Sequence, residues 1–299
     1  MKFFDADAVA ALGYDGAIAA VREALLGGLD PADDPARSAV GLRQGQFLLM
    51  PAESAAGAGV KIVTVAPGNP ARGRPRIAAV YLLFDPETLA PVAVLDGTAL
   101  TTLRTPAVSV AAVLDRLPDG PLRVAVLGAG PQAVGHVAAL AAVRPLVAAT
   151  HLVREPARAG RAALALGSPE ASAELAAADV VVCATSARAP LFDGGLVRDT
   201  AVVIAVGSHE PDARELDATL LARASVVVED VPTALREAGD VVLAVAEGAL
   251  TVGGLFALRA VVTGVAEPPR DRPLVFKSVG MGWEDLVVAG AVARRGAAH

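Results

Sequence analysis

Apolar residues recur at helical spacing over 17–26, and a Pro/Asp-rich stretch at 30–35 ends that pattern. Four strand-like apolar runs follow, at 46–50, 60–65, 77–84 and 89–95. The last two are separated by the polar segment Asp85-Pro86-Glu87-Thr88, which predicts an antiparallel hairpin. Residues 67–75, rich in Pro and Gly, read as a loop. From residue 123 the pattern changes to apolar runs at 123–127, 150–153, 180–184, 201–206, 225–229 and 274–278, most of them separated by helical stretches. Such alternation predicts a parallel sheet covered on both faces. A final helix is expected over 283–295, and Pro118-Asp119-Gly120-Pro121 is the clearest boundary.

Composition narrows the class. Hydrophobic residues make up 54% of the 299 positions but aromatic ones only 3%, so the core must be built from small aliphatic side chains. The net charge of −6, with no basic run and few aromatics, argues against a nucleic-acid partner. No apolar stretch is long enough for a membrane helix: the best candidate, 136–153, is broken by Arg144 and Pro145. Asp5 and Asp7 interrupt the segment that a signal peptide would need to be apolar. Cys183, the only cysteine, lies in an apolar run and excludes an intrachain disulfide. These features together lead us to expect a cytoplasmic protein. The histidines at 136, 151, 209 and 299 show no metal-ligand spacing, and no metal site is expected.

The strongest chemical signal is the run Gly128-Ala129-Gly130-Pro131-Gln132-Ala133, placed between an apolar strand and a helical run. Gly128 permits the tight turn, Gly130 lets the backbone approach a pyrophosphate, and Ala133 is small enough for the helix to pack on the strand. Pro131 wastes no amide at the first helical turn, and the amides there face the pyrophosphate, with Gln132 contributing through backbone or side chain. Dinucleotide binding is the expected role. The second strand ends at Arg154, where an NAD-preferring site usually has an acid. A guanidinium suits a 2′-phosphate, with Arg158 one turn onward, so NADPH is expected; NADH stays open because Glu155 is adjacent.

Taken together, Arg37-Ser38, Leu49-Met50-Pro51-Ala52, Lys61 to Thr64, Leu83-Phe84-Asp85-Pro86, Asp96 to Thr105, the glycine turn, Gly207-Ser208, Glu215 to Asp217, Phe276 to Gly280 and Glu284-Asp285-Leu286 resemble the ornithine cyclodeaminase and mu-crystallin family. The match runs in order over nearly the whole chain. It implies an α/β protein with a central Rossmann-type parallel-sheet domain at 119–280. An α+β substrate-binding and dimerisation domain is then formed by both chain ends, 1–118 and 281–299, and a homodimer is implied. It also implies that Arg37, Lys61 and Arg104 surround the carboxylate of an imino or amino acid. Cations at such apolar positions are costly to bury without an anion, which the protein's own Asp or Glu would also supply. Thr105, at the start of a helix after Arg104, together with Val206, Gly207 and Ser278, is expected to line the cofactor or substrate.

Departures from the family pattern bear on the reaction. Cyclodeaminases are expected to carry an acid where this chain has His209, and another two residues before Met50-Pro51, where it has Leu48. The groups that handle a diamine are thus absent. A preformed cyclic imine needs only its carboxylate fixed and its C=N carbon presented to hydride. The expected activity is NADPH-dependent reduction of Δ1-pyrroline-2-carboxylate or Δ1-piperideine-2-carboxylate. Lys61 would act on the carboxylate or imine nitrogen, and His209 is a second candidate for proton delivery. Ornithine cyclodeamination, alanine or N-alkyl amino-acid dehydrogenation, a condensing activity and a non-catalytic NADPH-binding role remain alternatives.

Overall fold

The computed structural model describes residues 1–55 and 57–297; His299 lies outside them. The chain forms two compact units, Met1–Val108 with the segment from Met281, and Ser109–Gly280. Their first boundary falls inside a helix, ahead of the Pro118–Pro121 turn that the sequence singles out. No helix among the described residues is long and apolar enough to cross a membrane.

The first unit is built on a six-stranded sheet. In chain order its elements are β1 (Lys2–Phe4), α1 (Ala6–Ala10), α2 (Gly13–Leu26), β2 (Ser38–Leu42), β3 (Gly45–Ser54), β4 (Gly57–Val65), β5 (Ile77–Phe84), β6 (Pro91–Asp96) and α3 (Gly97–Val113). The sheet order is β1-β6-β5-β4-β3-β2, with β5 and β6 antiparallel as the polar spacer predicts. Because side chains alternate across a strand, the register row Met50, Lys61, Tyr81 and Leu95 shares one face. That face is buried, and the C-terminal helix packs on β3, β4 and β5 there. The Tyr81 ring reaches diagonally over Gly59, where an added Cβ would lie 2.0 Å from the hydroxyl oxygen. The opposite face carries Val60, Ile62, Val80, Leu82 and Val94, which are only partly covered, with Phe3 and Val40 exposed.

The helix α3 corrects one sequence expectation. Asp96 Oδ1 accepts from the backbone N–H groups of Thr98 and Ala99 at 2.9 Å, so the helix starts directly from β6. Arg104 and Thr105 therefore lie two turns inside α3 and not at its start. Pro106 is accommodated within the same helix.

The second unit contains β7 (Leu122–Leu127), α4 (Pro131–Val143), β8 (Leu146–Val153), β9 (Ala163–Ala165), α5 (Pro169–Ala177), β10 (Val180–Cys183), β11 (Val202–Ala205), α6 (Ala218–Arg223), β12 (Ser225–Val228), α7 (Val231–Glu237), α8 (Gly239–Ala246), β13 (Leu255–Ala257), α9 (Leu258–Val262) and β14 (Leu274–Lys277). Its eight strands are all parallel, in the order β13-β12-β14-β11-β10-β7-β8-β9. The central strands β10, β11, β12 and β14 are buried along their whole length, which is why they read as continuous Val/Ile runs without alternation. The three-residue edge strands β9 and β13 were too short to stand out in the sequence. The Cys183 thiol is fully buried, and burial pushes its pKa up, so it packs as a small apolar group. The chain closes with α10 (Gly282–Ala297), which belongs to the first unit.

Candidate active site

In the second unit the dinucleotide turn joins β7 to α4. Gly128 has φ +113°, and a Cβ there would lie 2.6 Å from the Ala184 carbonyl oxygen, so both conformation and space require glycine. Gly130 differs. It caps α4 with φ −75°, which any residue adopts, and no protein atom lies within 4 Å of its would-be Cβ. No contact among the described residues requires glycine at 130, and the space beside it is open. Pro131 stands at the first helical position and Ala133 is fully buried against the sheet. The first amides of α4 lie at a helix N-terminus, where the helix dipole favours an anion. A dinucleotide pyrophosphate fits this cradle.

A cleft of about 600 Å³ extends from the turn, lined among others by Gly128, Val153, Arg154, Glu155, Arg158 and Arg188. Arg158 pairs with Glu155 at 3.1 Å, both largely exposed. Arg188 pairs with Glu210 and Asp212, each at 2.6 Å. Arg154 follows directly on the end of β8 and is exposed to the cleft. Behind the turn, the buried His151 donates from Nδ1 to the Gly128 carbonyl at 2.8 Å. His136 donates from Nδ1 to the Gln132 carbonyl at 2.8 Å and accepts the Ser109 hydroxyl at 3.0 Å. Complete burial pulls its pKa down to about 4, so it is a neutral structural group.

The loop after β11 is held by acids to which sequence reading gave no role, Glu215 having been noted only in the family resemblance. Glu215 accepts from the Thr185 N–H at 2.8 Å, the Thr185 hydroxyl at 2.7 Å and the Gly207 N–H at 2.7 Å. A side chain at Gly207 would meet the Thr185 carbonyl at 2.1 Å, so this glycine seats one loop on another. Burial raises the Glu215 pKa, partly offset by Lys277. Lys277 is fully buried, 3.3 Å from Asp240, and donates to the Ser208 carbonyl at 2.5 Å. His209, exposed, sits next on that loop, and Val206 precedes it half-buried. The Ser278 hydroxyl donates to Glu229 at 2.7 Å. The Val279 and Gly280 N–H groups donate to the same carboxylate at 2.8 and 2.9 Å. A carboxylate buried among three donors was not foreseeable from a Val-rich strand ending in Glu229-Asp230.

The first unit holds the cations. Lys61, on β4, is 2% exposed and donates to Asp285 Oδ2 at 2.6 Å. Arg104, on α3, pairs with Glu284 through Nη1 and lies 3.3 Å from Asp285 Oδ1 through Nε. Glu284 and Asp285, in the first turn of α10, are both fully buried. Lys61 and Arg104 are thus brought together on one shared carboxylate of the chain's own, the alternative to a substrate acid that the sequence left open. Arg37, half-buried, leads into β2, whose Ser38 pairs with Leu49, next to the row carrying Met50 and Lys61. Thr105 is buried beside Arg104 on α3. Burial first, and Arg104 second, pull the Lys61 pKa down to about 8 against the raising effect of Asp285 and Glu284. Tyr81 is fully buried, and its hydroxyl has no hydrogen-bond partner among the described residues. Burial and the charges of Asp285 and Asp34 hold its proton firmly. No group of His, Cys, Asp and Glu among the described residues is arranged to hold a metal ion.

Comparison with known proteins places these observations. A Δ1-pyrroline-2-carboxylate/Δ1-piperideine-2-carboxylate reductase of Azospirillum brasilense is 33% identical over 300 residues, covering 95% of this chain and 92% of its own. The structure of Thermococcus litoralis Δ1-pyrroline-2-carboxylate reductase in complex with NADH and L-proline superposes with a TM-score of 0.87 at 27% identity, covering 100% of this chain and 98% of that one. An archaeal alanine dehydrogenase dimer with bound NAD gives 0.84 at 27% identity, covering 100% and 96%. The family model described as ornithine cyclodeaminase/mu-crystallin family matches residues 10–298. With the glycine turn on a parallel sheet and the buried cations of the first unit, this match shows that the chain belongs to the ornithine cyclodeaminase/mu-crystallin family.

Proposed function

We propose that this chain is an NAD(P)H-dependent oxidoreductase of C–N bonds that reduces a cyclic ketimine, Δ1-pyrroline-2-carboxylate or Δ1-piperideine-2-carboxylate, to L-proline or L-pipecolate. The observation that carries this reading is the buried Lys61, an ammonium at neutral pH that gives one N–H to Asp285 and keeps others to donate. Relatives that reduce these two imines support the substrate class. Leu48 and His209 stand where diamine-handling members are expected to carry acids, which argues against ornithine as substrate.

The chemistry asked of the residues is modest. Lys61, Arg104 and Arg37 fix the substrate carboxylate, which orients the ring. Lys61 also favours the protonated imine by supplying a donor near its nitrogen, and His209 is the second candidate for that proton. The nicotinamide, when bound, supplies hydride to the C=N carbon. Purified protein should oxidise the reduced cofactor with both cyclic imines and show no turnover of ornithine with NAD. Proline and ammonium from ornithine would refute the reading, and turnover of pyruvate plus ammonium alone would reassign it to amino-acid dehydrogenation.

NADPH is the proposed preferred donor. Arg154 and Arg158 line the cleft against one carboxylate, Glu155, and their exposed pair is weak enough to yield to a phosphate. Arg154→Asp should lower the kcat/KM ratio of NADPH to NADH by about 10-fold or more, since a charge-assisted guanidinium–phosphate contact is replaced by repulsion. An unchanged ratio would remove Arg154 from that role. A homodimer is proposed as the assembly. Support comes from the half-covered apolar face of the first unit's sheet and from the dimeric alanine dehydrogenase. Sedimentation as a monomer at working concentration would reject it.

A further inference from the structure

Two cations and two carboxylates are buried together in the first unit, and the carboxylates are not equivalent. Glu284 pairs with Arg104, whereas Asp285 holds Lys61 through one oxygen and lies 3.3 Å from Arg104 through the other. The two acids sit on α10, Lys61 on β4 and Arg104 on α3, so one aspartate ties three separate elements. Lys61 and Asp285 are 2% and 0% exposed, so water does not screen the contact.

A lysine side chain has four rotatable bonds and a point charge, and its direction is set by what holds the ammonium. On β4 its strand neighbours offer little: Met50 on one side cannot accept strongly, and Tyr81 on the other lays its hydroxyl over Gly59. The titratable groups facing Lys61 are Arg104 from α3, Glu284 and Asp285 from α10, and Tyr81 from β5; Asp34 anchors the start of α10 through the Gly282 N–H at 2.8 Å. Of these, Asp285 alone makes a hydrogen bond to the ammonium.

We propose that Asp285 is a positioning residue for imine reduction: it aims the Lys61 ammonium, keeps it charged and locks it to Arg104 as one rigid clamp for the substrate acid. This rests on the reading of Lys61 as the group that meets that acid. The sign follows from the charges. Burial and Arg104 disfavour the charged amine, and the charge and hydrogen bond of Asp285 favour it. Removing the aspartate's charge therefore discharges Lys61 at lower pH.

The test uses the fact that Lys2, Lys61 and Lys277 are the only lysines in the chain. Protein labelled with ¹³C-lysine gives three side-chain signals, and the Lys61 signal reports its titration without any turnover. In Asp285→Asn the Lys61 midpoint, and with it the basic limb of kcat/KM against pH, should move down by about 1 pH unit or more. At pH 8 that costs about 5-fold or more in kcat/KM, which acidification recovers. Asp285→Glu keeps the charge on a longer arm. Its midpoint should stay at the wild-type value while kcat/KM still falls by about 10-fold, because the clamp is displaced. A folded Asp285→Asn protein with unmoved midpoint and limb overturns the proposal. If that variant does not fold, Asp285→Glu decides: wild-type kcat/KM, or a shifted midpoint, overturns it. Wild-type protein that reduces neither imine while Lys61 responds to Asp285 as stated would instead refute the assigned function and leave the Asp285–Lys61 coupling standing.

Discussion

Replacing Lys61 with methionine is expected to lower kcat/KM for the cyclic imine by about 10²- to 10⁴-fold, the range found when a positioned proton-handling group is removed. The apparent affinity for the reduced cofactor should change little, because the glycine turn and the cleft it opens belong entirely to the second unit. The pH profile separates this from a folding defect. On the proposed reading the active form carries charged Lys61, whose pKa burial pulls down to about 8, so wild-type activity should be present below that value and decline as pH rises through it. Lys61→Met has nothing to titrate there and should lack that limb. The variant keeps Asp285 paired with Arg104 at 3.3 Å, yet losing one partner of a buried pair costs up to about 3–5 kcal/mol, so a lower melting temperature is expected as well. Cofactor turnover at the wild-type rate would show that Lys61 serves the fold alone.

The second large effect distinguishes Gly130 from Gly128. Gly130→Val should leave the thermal stability of the cofactor-free protein essentially unchanged, because its φ of −75° is ordinary and no atom lies within 4 Å of the added Cβ. Its affinity for NADPH, read by fluorescence titration, should fall by about 100-fold or more, because the side chain occupies the approach of the pyrophosphate. Gly128→Ala should lose both stability and affinity: its Cβ would stand 2.6 Å from the Ala184 carbonyl at φ +113°. Unaltered NADPH binding by Gly130→Val would mean that the pyrophosphate does not cross this turn.

Much of this site was legible in the sequence because its signals are local. A strand, two glycines, a proline and an apolar helix in direct succession state a dinucleotide turn within a dozen residues, and Val-rich runs state the strands that bury both faces. Elements without such signals escaped. β2 is exposed along its length, so burial leaves no pattern in it. The start of α3 was displaced because the cap is the side chain of Asp96, the last residue of the preceding strand.

By itself, then, the chain's order of residues determined the two-part architecture's ingredients, the cofactor turn and the identity of the buried cations Lys61 and Arg104. Only the tertiary structure decided what neutralises them. Asp285 lies 224 residues beyond Lys61, and Glu284 180 beyond Arg104, and neither separation leaves a periodic trace. The physical reason is that the cost of burying a charge is set by the partner packed against it, and α10 brings that partner from the far end of the chain.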